Sequence, residues 1–261
     1  MTGRFGLIGI LVLLGCGWGL TQPMTKIAVS EGYRPLGLVF WQMVIGALLL
    51  GLLVALRGRP VPFSARHLRL YLLIALIGTI LPNSASFMAA VHLPSGVMSI
   101  VISMVPIFAF PIALLLGTDW FSWKRLAGLI CGFVGVMLLV GPDSALAGPS
   151  LTIWVLVALI APFFYGLEGN VVAKWGTLGL DGIQLLCGVS IVGSLLALPL
   201  AVLSGQWIDP RPPWGNPDYA LVVASVLHAV VYSAFVWLIL RAGAVFAAQV
   251  SYVVTGSGVL W

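Results

Sequence analysis

The apolar positions of this chain gather into runs long enough to cross a hydrocarbon core, which takes about 20 residues of helix. They predict nine spans, at 5–29, 36–56, 68–90, 95–116, 124–141, 151–174, 181–204, 218–240 and 243–261. The polar interruptions come twice in the same order. Trp18-Gly19-Leu20 and Phe164-Tyr165-Gly166-Leu167 each open a polar break inside an apolar helix. His92-Leu93-Pro94-Ser95-Gly96-Val97 precedes the polar-spotted helix through Ser103 and Pro106, as Arg241-Ala242-Gly243-Ala244-Val245-Phe246 precedes Tyr252 and Thr255. Trp18 and Tyr165 are 147 residues apart, and Pro106 and Thr255 are 149 apart. Such a doubled series marks an internal duplication. Five spans separate the first segment from its echo, and an odd number sends the second copy into the membrane from the opposite side.

The expectation is therefore an all-α polytopic membrane protein, an inverted repeat of five transmembrane helices with nine of an expected ten present. The first repeat covers 5–141 and the second 151–261. The offset, extended past Val140-Gly141, predicts a further span within about 30 residues beyond Trp261. Arg4 ahead of an apolar run suggests a signal peptide. The run continues through Gln22-Pro23-Met24-Thr25-Lys26 without a small-residue cleavage site, however, and its pattern returns at 151–174, so it reads as a retained helix.

Composition agrees with a bilayer: 61% of residues are hydrophobic and 7% charged, more apolar surface than a soluble globule could hide. The 12 Lys and Arg are spread through loops with no basic face and no aromatic platform, which argues against a nucleic-acid partner. With a cytoplasmic amino terminus, nine of them fall inside and three, Lys26, Arg34 and Arg211, outside, the bias expected of a bacterial inner-membrane protein in that orientation. Cys16, Cys131 and Cys187 lie inside apolar runs without metal or redox spacing, so neither metal nor cofactor is implied.

Trp18-Gly19-Leu20, Ala89-Ala90, Pro94-Ser95-Gly96, Val105-Pro106, the Gly117-Thr118-Asp119 turn and Gly128, Gly132, Gly135 and Val136 together resemble the EamA domain of the drug/metabolite transporter superfamily. The second half echoes it through Arg241 to Val245, Gln249 to Tyr252 and Gly258 to Trp261. The resemblance implies a ten-helix carrier that exports amino acids and related small metabolites. Asp119 stands where the family usually shows Glu.

Polar groups at membrane depth are costly and are functional candidates by default. Glu168, flanked by Tyr165 and Asn170, is the acidic residue placed well inside a predicted span. It can take a proton or pair with a substrate amine, or it can lie near the cytoplasmic mouth and pair with Lys174. His228 shares a helical face with Tyr232 and serves either as a polar contact or as a packing residue. Asn83 corresponds to Tyr232 at the 149-residue offset. Gln22, Ser103, Gln249 and Tyr252 complete a cleft expected from spans 1, 3, 4, 6, 8 and 9. Gln42 and Gln184 are exceptions in otherwise apolar spans, and Lys26 with Glu31 reads as a solvated pair. Gly15/Gly19 and Gly128/Gly132 suit close helix approach within the chain. Trp120, Trp123, Trp207 and Trp214 read as interface anchors.

The expected partners are a small-molecule substrate and the lipid bilayer, with monomer and homodimer both open. An enzyme would need a nucleophile-base pair or paired carboxylates at depth, and Asp119, Asp143, Asp181, Asp209 and Asp218 all fall in loops or at span edges. A non-transporting scaffold or sensor leaves the shared polar cleft without a purpose.

Overall fold

The computed structural model describes residues 4–140 and 149–258. Among them six helical stretches are long and apolar enough to cross a membrane: Phe5–Ser30, Pro35–Leu56, Ala65–His92, Thr152–Trp175, Gly182–Leu203 and Asn216–Ala242. Two of these are continuous paths with a break in the winding. The first is α1 (Arg4–Gly19) followed by α2 (Thr21–Ser30). After α3 (Pro35–Leu56), the third is α4 (Ala65–Ile74), a π-helical segment (Ala75–Ile80) and α5 (Leu81–His92). Pro82 has no N–H to give the carbonyl of Gly78, four residues back, and the wider π winding lies immediately before it.

The expected span at 95–116 is two helices, α6 (Ser95–Ile102) and α7 (Val105–Leu116). Pro106 explains the break, since inside a continuous helix it would strip the Ile102 carbonyl of its donor. α8 (Trp123–Val140), α9 (Pro149–Trp175), α10 (Gly182–Leu203) and α11 (Asn216–Ala242) follow, and the last span is again divided, into α12 (Ala244–Ala248) and α13 (Val250–Gly258).

The two halves form an inverted repeat, and the packing partners are exchanged by it. α5 against α9 is matched by α2 against α11, and α7 against α9 by α13 against α1. α3 packs on α10, its own counterpart. The aromatic-Gly-Leu step is a point of close helix approach in both copies. A Cβ on Gly19 would sit 3.2 Å from the Val254 carbonyl oxygen, and one on Gly166 would sit 3.3 Å from that of Val105. Val105 and Val254 are themselves 149 residues apart. Glycine is there because two backbones meet.

The hydrophobic inside is matched by an apolar outside: Leu13, Leu48, Leu115, Leu195 and Leu203 are all at least 67% exposed, as lipid-facing residues should be. Trp120, Trp123, Trp207 and Trp214 lie exposed at span ends. Polar ties close both ends of the α3–α10 pair. Asp181 accepts from Ile183 N and Gln184 N, both 3.0 Å, capping α10, and pairs with Arg57 at 3.1 Å and Arg59 at 3.4 Å. Gln184 is thus a capping residue that also donates to the Pro60 carbonyl at 2.9 Å. At the other end Gln206 accepts from Leu36 N at 2.9 Å, and Trp41 donates to the Ile208 carbonyl at 3.0 Å.

Candidate functional site

The polar breaks in the spans converge on one cavity of about 170 Å³, walled by α1, α2, α3, the π segment, α5, α6, α7, α9, α11, α12 and α13. It draws on both repeats. One end reaches Lys26, whose Nζ donates to the Ala90 carbonyl at 2.9 Å, and adjoins a shallow surface groove that shares Met24, Lys26 and Ala220. Lys26 therefore belongs to the cavity mouth rather than to an ion pair with Glu31. Beyond the opposite end the helices pack solidly, with Tyr71, Ile74, Val172, Val236 and Ile239 at most 1% exposed.

Glu168 of α9 lies at the deep end, 2% exposed, and its Oε1 has no hydrogen-bond partner among the described residues. Lys174 donates instead to the Leu116 carbonyl at 2.7 Å, so it is not the partner of Glu168. Tyr232 lies beside Glu168 over Gly78. A Cβ on Gly78 would come within 3.1 Å of Glu168 Cγ and would collide with the Tyr232 hydroxyl. The π segment thus presents a side-chain-free face where these two groups meet.

Trp18 stands next to them, 6.1 Å between ring centroids from Tyr232 and 5.0 Å from Phe235. Its indole N–H donates to His228 Nδ1 at 3.4 Å. Indole nitrogen can only donate, so Nδ1 is the acceptor and a neutral imidazole carries its proton on Nε2. That Nε2 is buried without a partner among the described residues, as is Ser251 Oγ, while the Tyr232 hydroxyl is turned to the Glu168 carboxylate.

One turn from Glu168 on α9, Tyr165 donates to Asn83 Oδ1 at 2.6 Å, and Asn83 Nδ2 donates to Gln42 Oε1 at 2.6 Å. This chain links spans 6, 3 and 2 and brings Gln42 into the site. Gln22 also lines the cavity.

Of the residues singled out from sequence, Glu168, His228, Tyr232, Asn83, Gln22 and Tyr165 surround this cavity, and four lie elsewhere. Asn170 clamps α9 to α7, donating to the Ala109 and Gly166 carbonyls at 2.9 and 2.8 Å. Ser103 returns its hydroxyl to the Ile100 carbonyl at 2.6 Å. Tyr252 points away from the cavity, donating to the Leu129 carbonyl at 2.8 Å with its ring over Gly132. Gln249 is exposed at the break between α12 and α13. The cavity face of α13 is Val250, Ser251 and Val254, and a step of one residue turns about 100° around a helix. Trp18 and Lys26 are site residues that polarity within a span did not single out, and Gln42 stood apart from the expected cleft as an exception. The tryptophan stood in the repeated motif, and Gln42 in an otherwise apolar span.

At the mouth side, the hydroxyl of Tyr33, in the loop between α2 and α3, donates to Asp218 in the first turn of α11 at 2.5 Å. Burial first, and then the bond to that carboxylate, push the phenol up to about 12.

Residues 5–141 match the EamA-like transporter family. The chain is 22% identical to the transporter YoaV of Bacillus subtilis over 77% of its own length and 69% of that protein's. It is 29% identical to the inner membrane transporter YedA of Escherichia coli, over 63% of this chain and about half (53%) of YedA's length. It is 27% identical to a transporter of Archaeoglobus fulgidus over 84% and 74% of the two chains. A solved crystal structure superposes with a TM-score of 0.73 over 97% of this chain and 85% of its own, at 16% identity, which shows the shared fold.

Proposed function

The chain belongs to the EamA-like transporter family and is a multi-pass membrane protein, and we propose that it exports small metabolites, amino acids or their close relatives, by alternating access around the central cavity. The observation that carries this reading is the cavity itself. It sits between the two repeats, open toward Lys26 and sealed beyond Glu168, with buried polar atoms of Glu168, His228 and Ser251 left without partners among the described residues. Unpaired polar groups at membrane depth are costly, and a substrate passing through supplies their partners.

An inverted repeat gives the second state without a second design. If the contacts of α2 with α11 and of α5 with α9 exchange their geometries, the seal moves to the Lys26 end and the cavity opens beyond Glu168. The cation bias supports a cytoplasmic amino terminus in a bacterial cell, and in that orientation the state described faces outward. Glu168 is the coupling candidate, able to carry a proton in one direction and a substrate in the other. The test is counterflow of labelled amino acids in proteoliposomes of the full-length protein. Saturable exchange supports the reading, and membranes as tight as protein-free ones to every candidate metabolite refute it.

A further inference from the structure

The charge and the vacant hydrogen-bonding capacity of the cavity narrow its occupant. Resting on the reading that this cavity holds the transported molecule, we propose that it takes a monoamine, an ammonium group with a small apolar body and a neutral acceptor, in preference to an α-amino acid.

Among the described residues, Glu168 and Lys26 are the two charged side chains on the cavity wall. They are far apart. Glu168 is level with Tyr232 and, through it, with Trp18. Lys26 lies eight residues past Trp18 along the α1–α2 path, about 12 Å of helical rise, and its ammonium is held by the Ala90 carbonyl. An α-amino acid carries its ammonium and carboxylate on one carbon and cannot reach both. Bound at Glu168, a zwitterion adds no net charge, and the enclosure keeps one uncompensated negative charge. An ammonium without a carboxylate cancels it, and a buried charge left without a counter-charge is strongly unfavourable.

The neutral groups fit the rest of such a ligand. The tautomer imposed by Trp18 makes His228 Nε2–H a donor without a partner among the described residues, while the Tyr232 hydroxyl is turned to Glu168. A free neutral donor suits an amide or hydroxyl oxygen. Phe87, Leu221, Phe235 and Val254 supply an apolar wall for a hydrocarbon body.

Three probes with the same body separate the possibilities: leucinamide, leucine, which adds a carboxylate, and 4-methylpentanamide, which lacks the amine. Equilibrium binding of each is measured on the full-length protein in detergent micelles at about pH 6.5, where an α-amino group of pKa about 7.7 is protonated. Leucinamide is expected to bind at least about tenfold tighter than either of the others. Its preference over 4-methylpentanamide should vanish in Glu168→Gln, while gel-filtration profile and helicity are unchanged. Leucine or 4-methylpentanamide binding as tightly as leucinamide overturns the assignment, and so does the absence of saturable leucinamide binding. The comparison of probes on the unaltered chain decides the matter even if the variant misfolds. Binding needs no turnover, so a protein that binds leucinamide but moves no solute refutes the transport reading alone. One that exchanges leucine without binding leucinamide refutes this inference alone.

Discussion

Tyr165 donates a 2.6 Å hydrogen bond to Asn83, and their counterparts in the other repeat, Trp18 and Tyr232, face each other with ring centroids 6.1 Å apart. The same pair of positions is polar on one side of the cavity and aromatic on the other. The duplication kept the contact and changed its chemistry. Asn83 also donates to Gln42, so Asn83→Leu strands two half-buried partners. A loss of about 1–3 kcal/mol is expected, read as a lower melting temperature in detergent. Tyr165→Phe removes one bond and should cost about 1 kcal/mol or less. Equal melting of wild type and Asn83→Leu would show that the bonded chain contributes nothing.

The repeated glycines make a separate prediction. Gly19→Ala and Gly166→Ala each push a methyl against a neighbouring backbone and should destabilise by about 1–3 kcal/mol. Among the described residues nothing lies within 4 Å of where a Cβ on Gly9 or Gly128 would stand, and alanine there should be neutral or stabilise by about 0.5–1 kcal/mol through helix propensity. A melting series in which all four variants behave alike would remove the case for the motif as a point of close helix approach.

Much of this architecture was legible in the sequence, because a bilayer demands long apolar helices and the polar breaks between them repeat. The breaks at Pro106 and before Pro82 follow from a missing N–H. What sequence could not give was direction around a helix. Tyr252 and Ser251 are both polar and adjacent, yet Ser251 lines the cavity and Tyr252 packs on Gly132. Polarity in a span announces that a partner exists, not whether it is a substrate or a backbone carbonyl, as Asn170 and Ser103 illustrate. Gln42 and Gln184 looked alike in sequence, and one joins the site while the other caps a helix.

The orientation proposed from the cations is open to labelling. In a background with Cys16, Cys131 and Cys187 replaced by alanine, Arg66→Cys and Asn216→Cys place thiols at exposed positions on opposite ends of the molecule. Asn216→Cys should react with an impermeant maleimide in intact cells and Arg66→Cys only after lysis. The opposite pattern reverses the orientation and makes the described state inward-facing.

The tie between Tyr33 and Asp218 has a pH signature. The phenol titrates near 12 in the folded chain against 10.0 ordinarily, so its contribution is complete below pH 10 and is lost as pH rises through about 12. The difference between wild-type and Tyr33→Phe tyrosinate absorbance should therefore stay flat through pH 10 and rise only near 12. A rise centred at pH 10 would mean that the hydroxyl is free in solution.

Glu168 offers the sharpest test of coupling. Glutamine keeps its shape and much of its hydrogen bonding but cannot ionise, and Gly78 leaves room for either side chain. In proteoliposomes Glu168→Gln should lose flux driven by a proton gradient by at least about tenfold, while insertion and helicity are unchanged. Exchange of substrate at equal pH on both sides separates the roles. If Glu168 carries only the proton, exchange persists in the variant and loses its dependence on pH. If it also binds the substrate, exchange falls with the driven flux. Wild-type rates in both assays between pH 5 and 8, a range of about three units above the ordinary carboxylate, would leave Glu168 a packing residue and make His228, with its unpartnered Nε2, the titratable group to test next.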